Sequence, residues 1–224
     1  MRPIYQSYDQ ARDVRIFEQR GDGSRLYYDG GVLYTHVDQQ GENRLAYVAA
    51  MGRLLADHST VLMLGTAGGA LATQISRRGG QVTAVDNWDG AFAIARQWFG
   101  LPDDVECIHG DAMDFLESTA RRWDAVAIDV FQGMEIPARM LTDEIVGRLS
   151  GVLKPGGLIV WNVADLPLAW TTQRIVQALR RANLDPDLIA VLDGDIGNTL
   201  VVSSAPNQAE PDGVRGATTE AMPC

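Results

Sequence analysis

Residues 61–89 of the chain read VLMLGTAGGALATQISRRGGQVTAVDNWD, a segment in which strand, turn and helix signals follow one another. It opens with Val61–Leu64, a short apolar run typical of a buried parallel strand. Gly65, Gly68 and Gly69 follow at once, and they allow a sharp turn with no Cβ between the backbone and a ligand. The stretch therefore begins with a strand and a turn suited to close approach by a small molecule.

The second half of the stretch completes a βαβ unit. Its pattern predicts a helix over Leu71–Arg78 and a strand over Val82–Val85, which ends at Asp86, 21 residues after Gly65. An acid at this place in such units accepts hydrogen bonds from ribose hydroxyls. Ala67 occupies the middle position of the dinucleotide fingerprint, so the unit predicts a site for a single nucleoside.

Strand and helix patterns keep alternating downstream of this unit. Further strands are predicted over Val105–Ile108, Trp123–Ile128, Leu158–Val163, Leu188–Leu192 and Thr199–Ser203. Helices are predicted over Ala91–Phe99, from Gly110-Asp111, over Leu141–Leu153 and over Leu168–Ala182, with turns at Lys154-Pro155-Gly156-Gly157 and Asp193-Gly194-Asp195. The order predicts an α/β fold with an open, seven-stranded, mostly parallel sheet that closes in an antiparallel hairpin.

The first 40 residues follow a different pattern. Arg25–Tyr28 and Val32–Val37 flank a turn at Asp29-Gly30, which predicts a β-hairpin ahead of the main domain. Apolar residues from Leu45 to Leu55 then recur at helical spacing. We therefore expect three regions, an N-terminal hairpin region (1–40), a nucleoside-binding domain (41–204) and a disordered tail rich in Pro, Gly and Glu (205–224).

Three carboxylates lie where strands end. Asp86, Asp111 and Asp129 each end a predicted strand or begin the next helix. Because ligands of open α/β sheets bind beyond the carboxyl ends of the strands, we expect these acids to converge on one crevice. For Asp111 the residue type equally suits a helix N-cap, so both roles stay open at that position.

The composition of the chain limits the classes of molecule that it is expected to bind. The net charge of −10 argues against a sequence-independent nucleic-acid binder and suits neutral or cationic small molecules. Two cysteines and three histidines without metal-ligand spacing indicate neither a disulfide framework nor a metal site. No apolar run is long enough for a membrane span and the N-terminus lacks a signal-peptide core, so we expect a cytoplasmic protein.

Taken in order, VLMLGTAGG, TAVDNW, HGDAMDFL, DAVAIDVFQG and LKPGGLIVWNV resemble the core of the spermidine synthase family. These aminopropyltransferases are built on the Rossmann-like class I methyltransferase fold. The hairpin SRLYYDGGVLYTHVD resembles that family's N-terminal segment, which plain methyltransferases lack. The resemblance covers about residues 24–204 and implies a transferase, in this family usually a homodimer.

The resemblance implies roles for individual residues. Asp86 would hold the ribose, Asp111 the adenine amino group, and Asp129 would be the catalytic aspartate that orients the attacking amine and takes its proton. Tyr34, Asp38 and Gln132 would face the acceptor. The implied donor site comprises Gly65, Thr66, Ala67, Gly68, Gly69, Asp86, Asn87, Asp111 and Ala112.

The chain also departs from the family pattern. Gly68 stands where the family has a carboxylate in the glycine turn, and Gln132 stands where it has an acid three residues after Asp129. Further along the hairpin, a glutamine is replaced by Leu33 and the second acid of a pair by Gln39. Tyr47 is all that remains of a tyrosine-histidine pair. These losses leave the nucleoside half of the site intact and fall on the contacts to the acceptor and to the donor's aminopropyl group.

Three functions stay open on this sequence. The first is aminopropyl transfer from decarboxylated S-adenosylmethionine to an amine. The second is methyl transfer from S-adenosylmethionine to a small molecule, which Gly68 favours because a carboxylate there would repel the donor's own carboxylate. The third is nucleoside binding without chemistry. None of the three requires a metal.

Overall fold

The structure, a computed structural model, describes residues 1–8, 12–193 and 196–207 of the chain. Its first part is a four-stranded antiparallel sheet whose strands follow the sequence order. The strands are β1 (Arg2–Tyr8), β2 (Asp13–Glu18), β3 (Arg25–Asp29) and β4 (Val32–Val37). The predicted hairpin is confirmed as β3 and β4, but it is only half of this sheet. The polar, largely exposed strand β1 gave no clear strand signal in the sequence.

The connection between β3 and β4 is a tight turn. Asp29 pairs with Val32, so Gly30 and Gly31 form a two-residue loop, with φ of 56° and 84°. Two consecutive positive φ angles are those of a type I′ turn, for which glycine is well suited. The turn thus lies one residue later than the sequence predicted.

The second sheet has seven strands, as predicted, in the order β10-β11-β9-β8-β5-β6-β7. These strands are β5 (Thr60–Leu64), β6 (Gln81–Asp86), β7 (Glu106–His109), β8 (Trp123–Ile128), β9 (Leu153–Val163), β10 (Asp187–Asp193) and β11 (Ile196–Ser204). Strands β5 to β9 pair in parallel, whereas β11 runs antiparallel to β9 and β10 antiparallel to β11. The fold class predicted from the sequence is confirmed.

Six helices and a short 3-10 helix connect these strands in the described part of the chain. They are α1 (Ala46–Leu54), α2 (Ala70–Ser76), α3 (Gly90–Phe99), α4 (Ala112–Ser118), the 3-10 helix Ala138–Leu141, α5 (Asp143–Val152) and α6 (Trp170–Arg181). The predicted helices are found within two residues at most ends, and the 3-10 helix was not predicted. None of the helices described is long and apolar enough to cross a membrane.

One predicted turn is wrong in its placement. Lys154–Gly157 lies inside β9, where Trp123 pairs with Leu153 and Ala125 pairs with Leu158. The single residue Asp124 therefore faces four residues of β9, which bulge outward with Gly156 at a φ of +72°. The glycines do turn the chain, but pairing with β8 resumes immediately.

The core lies on both faces of the large sheet. Alternate residues of β5 divide between them, with Val61 and Met63 on one side and Leu62 and Leu64 on the other. The first face is covered by α1, α2, α3 and buried residues of the N-terminal sheet. The second is covered by α4, α5 and α6. Of the predicted site residues, Asp86, Asp111 and Asp129 lie at the carboxyl ends of the parallel strands.

The sequence also predicted a tail over 205–224. The amide of Ala205 donates to the carbonyl of Gly157 at 2.8 Å, so the chain runs on along β9 at least this far. Residues 208–224 lie outside the described part, and the prediction of disorder stays a prediction.

Candidate active site

The glycine turn after β5 lies against both neighbouring strands, β6 and β8. Gly65 has a φ of +85°, and a Cβ at this position would lie 2.2 Å from the carbonyl oxygen of Asp129. Its amide donates to Val85 at 2.9 Å, while the amide of Asp129 donates to Leu64 at 2.8 Å. A side chain at residue 65 would separate these strands. The glycine turn and the backbone of Asp129 are therefore packed directly against each other.

Asp86 ties the second strand of the unit to the same turn. Its Oδ2 accepts from the amide of Thr66 at 2.9 Å, and its Oδ1 accepts from the amide of Trp88 at 3.0 Å. Each carboxylate oxygen can accept more than one hydrogen bond, so the half-buried group keeps capacity for hydroxyl donors. Next to it, the exposed Asn87 accepts a hydrogen bond from Arg12 at 3.0 Å, which brings the N-terminal sheet to this edge.

Asp111 caps α4, which confirms one of the two roles that the sequence left open. Its Oδ1 accepts from the amides of Met113 at 2.8 Å and Asp114 at 3.3 Å, just ahead of the buried Ala112. Its Oδ2 forms an ion pair with Arg139 of the 3-10 helix. No local pattern in the sequence predicts that pair. A ligand amino group would have to share Oδ2 with the guanidinium.

Asp129 directly follows β8 and is half-buried. Its Oδ1 accepts from Nδ2 of Asn162 at 2.8 Å, and its Oδ2 faces the hydroxyl of Tyr47 at 3.5 Å. Burial raises the pKa of the Asp129 carboxyl above its usual value, although these two hydrogen bonds oppose the rise. Burial also raises the pKa of Tyr47, so its phenol stays neutral. A carboxylate with a raised pKa is a stronger base than an exposed aspartate.

The N-terminal sheet reaches this crevice through β4. The hydroxyl of Tyr34 donates to the carbonyl of Gly133 at 2.6 Å, within the exposed turn that contains Gln132. Burial raises the pKa of Tyr34 to about 12, so it is a neutral donor. This contact joins β4 to the loop that follows Asp129. Tyr34 and Gln132 are thus brought to the same loop, close in sequence to Asp129.

Thr35 explains why the glycine turn lacks a carboxylate at residue 68. Its side chain is 2% exposed, and its Oγ1 accepts from the amide of Gly68 at 3.0 Å. A Cβ on residue 68 would lie 2.8–2.9 Å from three atoms of Thr35. The space that a side chain at 68 would need is already filled from β4. Alternation along β4 predicts a buried residue here, but nothing local indicates what it contacts.

Asp38 is not brought together with the other predicted site residues. Its carboxylate accepts from the amides of Gln40 and Glu42 and pairs with Arg44, within the turn that follows β4. These bonds also lower the pKa of Asp38. Its assigned partners are all in that turn, so its role toward an acceptor stays a prediction.

The residues of the turn fit a nucleoside donor in one further respect. The hydroxyl of Thr66 is buried, with the residue 8% exposed, and has no hydrogen-bond partner among the described residues. A buried hydroxyl without a partner is costly, which favours a ligand that supplies one. In residues 1–8, 12–193 and 196–207, no group of three His, Cys, Asp or Glu side chains is placed to hold a metal ion.

Comparison with known proteins supports the resemblance. A family model described as a methyltransferase domain matches residues 61–157. Polyamine aminopropyltransferase 2 from Hyperthermus butylicus is 28% identical over 172 residues, which is 70% of this chain and 55% of that protein. Polyamine aminopropyltransferase from Chromobacterium violaceum is 30% identical over 121 residues, covering 51% of this chain and 46% of the relative.

A solved structure extends the likeness to the N-terminal sheet. A probable spermidine synthase from Corynebacterium glutamicum superposes with a TM-score of 0.77 at 19% identity, covering 89% of this chain and 79% of that one. In sequence and in fold the chain is similar to the polyamine aminopropyltransferases. The chain spans about half the length of the two relatives above.

Proposed function

We propose that the protein is an aminopropyltransferase whose donor is decarboxylated S-adenosylmethionine and whose acceptor is an amine. The observation that carries the proposal is Asp129, a half-buried carboxyl held by Asn162 and Tyr47 at the end of β8, beside the glycine turn. The relatives named polyamine aminopropyltransferase support the same reaction.

In the proposed reaction the nucleoside lies across the carboxyl ends of β5 and β6. Asp86 would accept hydrogen bonds from the ribose hydroxyls, and Asp111, Ala112 and Asn87 would line the base. Gly65–Gly69 would pass under the sulfonium substituent. Glycine lets the backbone of this turn approach closely, and Thr66 offers a buried hydroxyl that lacks a partner.

The chemistry then needs an unprotonated amine held in line with the carbon–sulfur bond. The amine nitrogen forms a bond to the donor's methylene carbon while that carbon's bond to sulfur breaks, and the electron pair leaves on neutral methylthioadenosine. The new ammonium gives its proton to Asp129. Positioning provides most of the acceleration because the sulfonium is already a good leaving group. The carboxylate stabilises charge that develops on the nitrogen.

Methyl transfer from S-adenosylmethionine is the second candidate. One observation favours it, since Thr35 fills the space beside Gly68 and leaves no room for a carboxylate that would repel the donor's own. One observation opposes it. The amide of Gly68 already donates to Oγ1 of Thr35, so this amide is not free to bind the carboxylate of S-adenosylmethionine. The N-terminal sheet and the relatives favour aminopropyl transfer.

Calorimetric titration separates the candidates. The purified chain is titrated with S-adenosylmethionine, its decarboxylated form and methylthioadenosine, and turnover is then followed with a panel of mono-, di- and triamines. We expect tighter binding of the decarboxylated donor and methylthioadenosine, and transfer to at least one amine. Tighter binding of the intact donor would indicate methyl transfer. Binding without turnover would indicate a nucleoside-binding protein, and no binding would contradict the site itself.

We further propose that the protein acts in the cytoplasm as a homodimer. Among the described residues strand β10 pairs only with β11, and it exposes Leu188, Ile189 and Leu192, the last of them 69% exposed. Exposed apolar side chains along an unpaired strand edge favour association. Light scattering during gel filtration should give twice the 24.4 kDa of one chain. A monomer at all concentrations would contradict the proposal.

A further inference from the structure

The carboxyl of Asp129 is the end of a chain of side-chain amides that crosses three strands. Asn162, on β9, is 1% exposed and donates to Oδ1 of Asp129 at 2.8 Å. The amide oxygen of Asn162 in turn accepts from Nδ2 of Asn198, on β11, at 2.9 Å. Residue 198 reaches Asn162 because β11 runs antiparallel to β9, with Thr199 paired to Val163.

Hydrogen-bond chemistry fixes the direction of this chain. An ionised carboxylate only accepts, so the amide of Asn162 must turn its nitrogen toward Asp129. Its oxygen then faces the interior, where an unpaired carbonyl would be costly. Asn198 supplies the donor that this oxygen needs. If Asn162 were reversed, its oxygen would face the carboxylate and its nitrogen would face the donor of Asn198.

Few other groups influence Asp129. Tyr47 of α1 faces Oδ2 at 3.5 Å, and Tyr34 of β4 interacts with the carboxyl electrostatically. Both phenols stay neutral because burial raises their pKa values. In the described part of the chain no arginine, lysine or histidine forms an ion pair with Asp129. The hydrogen bond from Asn162 is thus the shortest contact that stabilises its charge.

We propose that Asn198 is a positioning residue for the transfer reaction, acting through Asn162 to hold Oδ1 of Asp129 and leave Oδ2 as the oxygen that receives the proton of the amine. The proposal rests on the proposed function for the identity of that proton. Oδ2 fits the role because its one assigned partner, Tyr47, is at a long hydrogen-bond distance. Neither Asn162 nor Asn198 needs to touch the substrate.

Two substitutions of Asn198 test the chain of side-chain amides in different ways. Asn198→Asp places an acceptor opposite the oxygen of Asn162 and favours the reversed amide, while Asn198→Leu removes the donor without adding charge. Thr199→Val is the matched control, since it removes a hydrogen bond from the adjacent residue of β11, to the carbonyl of Asp165, and leaves Asn198 unchanged. Circular dichroism and melting temperature establish that each variant is folded.

The first readout requires no substrate. Carbon-13 NMR of labelled aspartate carboxyls, with the Asp129 signal assigned through Asp129→Asn, gives the pKa of this group in each folded variant. We expect a rise of about one pH unit in Asn198→Leu and a larger one in Asn198→Asp, because a lost hydrogen bond to the ionised form and an added negative charge both favour protonation. Thr199→Val should leave the value unchanged.

The second readout is kinetic. At neutral pH we expect kcat to fall about tenfold in Asn198→Leu with the KM of both substrates unchanged, and the acid limb of the pH profile to move upward with the NMR value. An unchanged carboxyl pKa in both Asn198 variants would overturn the proposal. An inactive wild-type protein would overturn the proposed function instead, while the NMR result would still decide whether the amide chain controls Asp129.

Discussion

The acids at the carboxyl edge of the large sheet have structural roles in addition to the chemical roles proposed above. Asp86 holds the glycine turn through the amide of Thr66, and Asp111 caps α4. Asp129 differs, because its side chain stabilises no helix end or turn among its assigned contacts and is instead buried at a cost to its ionised form. A carboxylate kept in such a place favours a chemical role.

Replacing Asp129 by asparagine should separate binding from turnover. We expect Asp129→Asn to lower kcat by about 10² or more, because the base and the orienting oxygen are both lost, with donor affinity near wild type. Calorimetry and initial rates measure the two effects. Glu135→Gln, a change of an exposed acid in the loop after β8, is the control. Equal rates for Asp129→Asn and wild type would contradict the mechanism.

The same substitution should stabilise the fold at neutral pH. The pKa of Asp129 is raised in the folded chain above its ordinary value of 3.8, so the folded state binds this proton more tightly than the unfolded state. Wild-type stability therefore falls as pH rises from 3.8 to the folded-state value, by about 1.4 kcal/mol for each unit of difference. Urea unfolding should show Asp129→Asn more stable than wild type at pH 7 and equal to it below that window.

Thr35 and Gly68 form a pair that should behave as a unit. Gly68→Asp alone should cost about 1–3 kcal/mol, since its Cβ would overlap the side chain of Thr35. In the double variant Thr35→Ala, Gly68→Asp the overlap is relieved, so the cost should be smaller than the sum of the two single changes. Urea unfolding of all four proteins gives the coupling. Simple additivity would show that the two sites are independent.

At the scale of elements, the sequence predicted what local patterns determine. Apolar strands, the glycine turn and the acids at the ends of β6, β7 and β8 are encoded in runs of adjacent residues. That these acids meet at one edge follows from the parallel order of the strands. The contacts of Thr35, Asn198 and Arg139 depend on which distant strand or helix packs alongside. Such pairing leaves no periodic signal. A polar Asn162 inside the apolar run LIVWNV was the one local hint of the amide chain.

The 3-10 helix Ala138–Leu141 gives a prediction of its own. Its Arg139 pairs with Oδ2 of Asp111, the oxygen that a base amino group would need. Arg139→Ala should therefore tighten donor binding, by about fivefold at most because the arginine is half-exposed. Arg148→Ala, which removes ion pairs to Glu117 and Glu144 instead, is the control. Weaker donor binding in Arg139→Ala would show that the arginine itself contacts the ligand.

For the whole molecule, the N-terminal sheet and the large sheet share one core. Val14, Ile16 and Tyr27 of the small sheet pack in the same buried cluster as Val61 of β5 and Phe99 of α3. The division of the chain at residue 40 stays a prediction about sequence regions, but the packing argues against independent folding of the first of them.

We therefore expect a single unfolding transition. Hydrogen exchange measured by mass spectrometry should give the slowest amides of β2 and β3 the same free energy of opening as those of β5 and β8. A chain that begins at residue 39 should lose solubility, because it exposes the apolar residues under the small sheet. Earlier exchange throughout β2 and β3 would show that this sheet opens by itself.

The missing Cβ of Gly65 has a consequence for how such proteins diversify. The turn that would carry the donor and the backbone of Asp129 are so close that a Cβ at residue 65 would not fit between them. The distance between the two is therefore fixed. Tyr34 and Thr35 contact the loop after Asp129 and the glycine turn, respectively, and both belong to a separate stretch of sequence. Under the proposed function, substitutions in the first 40 residues would therefore change the acceptor, while the distance between the glycine turn and Asp129 would stay the same.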